Sequence, residues 1–261
     1  MSHLLLVLIL LLTFGGNPDA PTTLVPANGP ADESQNQMTP EAFVASLTSY
    51  DIGILKKGPN WTAETPSKLN EAMKKKREPW RQAIVEGNLV GAVRVVDPSQ
   101  TVALIFFKNQ TSESMKAMAA NSEAIKTGLL TAEVQRVWGT KGLGAGLAKK
   151  LREKPKAAPK REIYYMVITT KGKNWSEKAD APETRKSTSE QIQYLYGLYK
   201  AGQLKYYCTL EDFSQQIRGL GIFKTASDKE ALDLMNNSPA VKSGWLSAWV
   251  KTVEIAEGVL P

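Results

Sequence analysis

Histidine is almost missing from this chain. The only one in 261 residues is His3, which lies in an apolar leader, so a mature exported form would contain none. His general bases, Ser-His and Cys-His nucleophiles and His-ligated metals are excluded together. Cysteine is equally scarce: Cys208 stands alone, and no internal disulfide can staple either half. Long hydrophobic runs are missing too. Leu4 to Leu12 is unbroken, and with Thr13 and Phe14 it reaches about 11 residues, against the roughly 20 that a bilayer needs. The remainder, 42% hydrophobic and 23% charged, is the composition of a globular chain with one large or two small domains.

The short apolar run has the length of a signal-peptide core. Its leading segment carries no Lys or Arg, and small residues follow at Gly15, Gly16, Ala20 and Ala27. Residues 1–20 are therefore expected to be a signal peptide with an uncertain cleavage site. Residues 21–47, rich in Pro, Asn and Ser, are expected to be a disordered tether. No cysteine follows the run to carry a lipid. The expected location is exported, periplasmic or extracellular, with no transmembrane helix left after cleavage. Residues 1 to about 45 are expected to pack on nothing.

A formal charge of +7 points to a nucleic-acid partner until the charge is located. Residues 139–161 hold eight Lys and Arg against Glu153 alone, which accounts for all of it. This stretch reads as a basic Gly/Lys/Pro linker on its solvated side, with adhesion to an anionic surface as the alternative. No specific nucleic-acid partner is expected.

Comparison of the chain with itself gives the strongest signal. Lys57-Gly58-Pro59-Asn60-Trp61-Thr62 returns as Lys171-Gly172-Lys173-Asn174-Trp175-Ser176, and NSEAIKTGLLTA (121–132) returns as NSPAVKSGWLSA (237–248). Phe107-Lys108 matches Phe223-Lys224 in the same order and at nearly the same spacing. The pattern is that of a duplicated domain, over 48–138 and 162–257.

Each copy reads alike. An apolar strand leads into the Lys-Gly-x-Asn-Trp loop, and a helix follows that stops at Gly87 or Gly202. Two β-rich runs come next, then a short helix opening on a Thr111 or Ser112 cap, or on Ser227, and a last strand. The order β-α-β-β-α-β predicts an α+β fold of two ferredoxin-like units. Their apolar sheet faces need cover and can supply it to each other. Pro79 is expected to kink or restart the first copy's long helix around Glu78, while the second runs unbroken from about Thr184 to Ala201.

Gly202-Gln203-Leu204, Ile217-Arg218-Gly219-Leu220-Gly221-Ile222-Phe223 and Ser238-Pro239-Ala240-Val241-Lys242-Ser243-Gly244, with the Lys-Gly-x-Asn-Trp loops, resemble the YCII-related domain family. The resemblance implies an intramolecular dimeric α/β barrel, two protomers fused in one chain. It also implies a His on the first helix and an Asp before the last strand as the family's reactive pair. Those positions hold Gln191 and Lys76, and Ser238 and Ser122, so both halves of the pair are missing from both copies. Glutamine and serine do not accept protons near neutral pH as imidazole and carboxylate do.

The candidate ligand-binding residues are Lys171, Asn174, Trp175, Gln191, Arg218 and Ser238, with no catalytic residue and no metal ligand assigned. An indole can stack on a small ligand and a guanidinium can hold a carboxylate or phosphate bidentately. In the plainer alternative, Trp plugs the core, Asn shapes the turn and Arg218 is a strand-face residue. Cys208 is read as a small buried hydrophobe. Sequons stand at Asn60, Asn109, Asn174 and Asn236.

Two functions fit. The first is an exported, non-catalytic protein binding a small anionic or carboxylated ligand, without a cofactor, and monomeric because its pseudo-dimer is internal. The second is an enzyme of lyase, isomerase or hydrolase type using Lys, Tyr, Asp or Glu. An envelope-associated structural protein is a third possibility.

Overall fold

The computed structural model describes residues 39–74, 77–108, 110, 112–155, 158–176, 182–211 and 216–261. Helix α1 (Pro40–Ala45) leads into β1 (Thr48–Lys57), α2 (Thr65–Lys74), α3 (Arg77–Val85), β2 (Leu89–Val95), β3 (Thr101–Phe107), α4 (Ser112–Ala120), α5 (Glu123–Lys126) and β4 (Leu130–Gly139). Helix α6 (Ala145–Glu153) leads into β5 (Arg161–Lys171), α7 (Pro182–Lys200), β6 (Leu204–Leu210), β7 (Ile217–Phe223), α8 (Asp228–Asn236), α9 (Pro239–Lys242) and β8 (Leu246–Ala256). The two units share the β-α-β-β-α-β order. The short α5 and α9 are extra to it.

The strands close into one antiparallel barrel in the order β1-β3-β2-β8-β5-β7-β6-β4. Each unit contributes four adjacent strands, and two seams join them. One pairs Val93 with Ile255, Arg94 with Glu254 and Val95 with Val253. The other pairs Val137 with Leu210, Trp138 with Thr209 and Gly139 with Cys208. Closure removes the exposed edges that an open sheet would present.

Alternation assigns the faces. Tyr50, Ile52 and Phe106 of the first unit meet Tyr206, Cys208 and Ile222 of the second inside the barrel, with the Phe106 and Tyr206 rings edge to face at 5.6 Å. The opposite faces carry the helices. In the second unit Val167, Leu204 and Phe223 pack against Leu195 and Leu198 of α7 and Ala231 and Met235 of α8. Ser227 caps α8, its hydroxyl accepting from the Glu230 amide.

Two expectations need correction. The tether is not free to its end: α1 lays Phe43, 3% exposed, against Tyr196 and Tyr199 of α7, with ring centroids at 5.8 and 5.3 Å. A lone aromatic inside a Pro-rich segment leaves no periodicity to read. Residues 1–38, with the expected signal peptide, lie outside the described residues.

The basic connector is also not simply solvated. Helix α6 buries Leu147, Ala148 and Leu151, following a Leu143, Leu147, Leu151 spacing that the charge count obscured. Arg152 donates to the Val85 carbonyl at the end of α3, and Lys150 pairs with Glu257. The C-terminal residues fold back over the same helix: the amides of Gly144 and Leu147 donate to Val259 and Gly258, and Val259 is buried.

Pro79 stands third in α3, while the second unit's counterpart is a single helix, Pro182–Lys200. Residues 75 and 76, at the junction of α2 and α3, lie outside the described residues, and with them the Lys76 candidate.

Candidate functional site

The repeated Lys-Gly-x-Asn motif is a backbone clamp. In the second unit the Gly172 amide donates to the Trp245 carbonyl and the Asn174 amide to Gly244, at 2.9 Å each, and Asn174 Nδ2 donates to Ser243 at 2.7 Å. In the first, Gly58 donates to Leu129, and Asn60 donates to Gly128 and, through Nδ2, to Thr127. A Cβ on Gly172 would lie 2.3 Å from the Gly244 carbonyl oxygen, so only glycine lets the two loops touch. Asn174 is thereby engaged in the turn, as Asn60 is.

On this shared base the second unit builds something the first does not. Trp175 stacks on Trp245 with centroids 5.0 Å apart and planes at 15°, where the first unit has Trp61 and Leu129. Lys171 Nζ lies 5.7 Å over the Trp175 ring, matching Lys57 over Trp61 at 5.6 Å. The second unit adds Arg218, whose guanidinium carbon is 5.3 Å from the Trp175 ring centre.

Arg218 reaches the indole because of a β-bulge. Thr169 pairs with Gly219 but Thr170 pairs with Ile217, leaving Arg218 as the extra residue. A bulge re-aims its side chain. The first unit has the same irregularity at Val102, between Ala103 and Thr101. Where the first unit has a nonpolar side chain, the second has a guanidinium that is only 6% exposed, one of whose nitrogens lies 3.5 Å from the Leu210 carbonyl oxygen.

Gln191 and Ser238 complete the layer. Gln191, on α7 and 7% exposed, accepts the Ala240 amide on Oε1 at 3.1 Å and so caps α9 from another helix. Ser238 precedes α9, is fully buried, and its hydroxyl does not cap. Gln191 Nε2, Ser238 Oγ and Trp175 Nε1 are all buried without a hydrogen-bond partner. All three can donate, and a buried donor left unpaired costs about 1–3 kcal/mol. Among the described residues the layer is therefore short of acceptors, and none of the side chains named in it is an imidazole or carboxylate. The first unit shows the matching serine, Ser122, buried and unpaired in the same way, but neither the arginine nor the second indole.

The sequence singled out Lys171, Trp175, Gln191, Arg218 and Ser238, and the structure sets them around α9 and the loop that faces it. It missed Trp245. The signal was available in the repeat alignment, where Trp245 replaces Leu129 in an otherwise matching block.

No protein-family model matches the sequence, and no curated protein is similar to it. Among solved structures, an arginine variant of chlorite dismutase from Candidatus Nitrospira defluvii is similar at 10% identity, over 84% of this chain and 95% of that one, with a TM-score of 0.48. A tryptophan variant of the same enzyme gives 10% identity over the same shares and a TM-score of 0.49. A proposed monooxygenase from Lactobacillus acidophilus gives 14% identity over 82% and 99%, with a TM-score of 0.45. These likenesses concern the path of the chain and carry nothing about its chemistry.

Proposed function

We propose that the second unit binds a small anionic or carboxylated ligand, and that it binds without acid–base catalysis. One observation carries this function: three buried donors without acceptors, on Gln191, Ser238 and Trp175, lie in the layer that also holds the buried Arg218 guanidinium. A carboxylate or phosphate supplies acceptors to all three and suits a site that also holds a guanidinium. Two finer assignments belong to the same proposal. Kinship to the YCII-related domains rests on the Arg-Gly step and the Ser-Pro turn, and export on the apolar run Leu4 to Leu12.

The test is a thermal-shift panel of small mono- and dicarboxylates and phosphate esters, each paired with its neutral amide or alcohol. Stabilisation is expected from acids and not from their neutral partners. Arg218→Ala is expected to weaken any hit roughly ten- to hundred-fold, as loss of a charged hydrogen-bond partner does. Hits that bind Arg218→Ala unchanged, or turnover of a bound acid, would sink the proposal.

A further inference from the structure

We infer that Tyr207 is the specificity-determining residue of this site, its phenol hydroxyl acting beside Arg218 as the second donor to the acidic head of the ligand. The inference rests on the anion-binding function proposed above and adds a residue that the sequence did not single out.

The placement follows from an exchange of side chains between the units. On the helix-facing side of the first sheet, Ala92 pairs with Ile105, beside Ala103. The matching positions in the second are Tyr207, Gly221 and Gly219, with Tyr207 paired to Gly221. The second sheet has given up two side chains on β7 and gained a phenol on β6. The tyrosine lies across the gap: a Cβ on Gly219 would fall 3.1 Å from its hydroxyl oxygen and 3.1 Å from Thr169 Oγ1. An alanine at 219 would crowd both. The ring's direction is thus fixed from Gly221 toward Gly219, and the next residue along β7 is Arg218 on its bulge.

Chemistry fits the position. Tyr207 is partly buried, and no described residue accepts a hydrogen bond from its hydroxyl. Burial pushes its pKa up, the nearby Arg218 charge opposing that only in part, so the phenol stays a neutral donor through the physiological range. A neutral donor beside a guanidinium suits an oxyanion, because neither group brings negative charge to the site. Thr169 is not available for the same task, since its hydroxyl donates to the Gly219 carbonyl at 3.3 Å.

The experiment uses the full chain and three fixed probes: benzoate, succinate and inorganic phosphate, with benzamide as the neutral control. Isothermal titration calorimetry compares the parent with Tyr207→Phe, which keeps the ring in the glycine gap, and with Arg218→Met. Tyr207→Phe is expected to weaken the bound probe about ten-fold or more and to narrow the preference for benzoate over benzamide. If Tyr207→Phe does not fold, tyrosine Cζ-labelled parent decides instead, with one Cζ resonance expected to move on saturation with the probe. Binding that Arg218→Met abolishes but Tyr207→Phe leaves intact would overturn the role of Tyr207 and keep the anion site. Tyrosine resonances that all stay fixed at saturation would do the same. If none of the three acids binds the parent, both the anion site and the tyrosine's part in it fall.

Discussion

Cys208 shows how strongly position sets reactivity. Its side chain is fully buried in the barrel beside Tyr206, and burial pushes the thiol up to about 12. The attacking species is the thiolate, so the folded protein is expected to give no reaction with a disulfide reagent at pH 8 and one thiol per chain once denatured. A rapid native reaction would place the thiol elsewhere. The clamp asparagines invite a paired comparison. Asn60→Ala and Asn174→Ala each remove one turn hydrogen bond and are expected to cost about 0.5–1.5 kcal/mol apiece. Asn174→Ala should leave ligand affinity near that of Asn60→Ala, and a selective loss in the second unit would return Asn174 to the binding set. At this scale the repeat itself was the reading aid. Residues kept in both units, the Lys-Gly-x-Asn clamp above all, proved to hold turns. Residues that differ, Arg218 for Val102, Trp245 for Leu129 and Tyr207 for Ala92, gather at the candidate site. Tyr207 was not singled out in the sequence, because its direction depends on two glycines of a neighbouring strand.

Among the elements, α1 and α6 hold matching places. Each precedes the first strand of its own unit and packs on the long helix of the other: α1 on α7 through Phe43, and α6 on α3, with Arg152 closing on Val85. A six-residue helix does not form alone in water, so α1 is held by its docking. Phe43→Ala is expected to destabilise the protein by about 3 kcal/mol, in line with other buried phenylalanines. For a chain of this size that is a fall in Tm of roughly 6–12 °C, measurable by calorimetry. An unchanged Tm would mean that the helix does not hold the fold. The strands and main helices were legible because their periods are long and glycines mark where they stop. These two lead-in helices were not. One is too short to show a period, and the other carries its two leucines inside a run that charge made conspicuous.

For the molecule as a whole, the barrel could be foreseen only from a family resemblance, since the seams are three residue pairs each and no local pattern announces them. Their polar reinforcement is uneven. At one seam Glu254 takes Arg94 across it at 2.8 Å and Arg161 of its own unit at 3.2 Å, while at the other Arg136 holds Asp51 of its own unit at 3.1 Å and meets Glu211 across the seam only at 4.0 Å. With both sheets satisfied inside one chain, we propose a monomer, and light scattering that finds only dimers would refute it. The crossing of the ends has a mechanical consequence. The stretch before β1 is fastened to the second unit, and the stretch after β8 lies on α6 against the first. A pull on the two ends in an optical trap therefore loads both clasps and both seams in shear before either unit feels tension alone. The barrel should give way in a single rupture rather than two, and Phe43→Ala should lower the force at which it does.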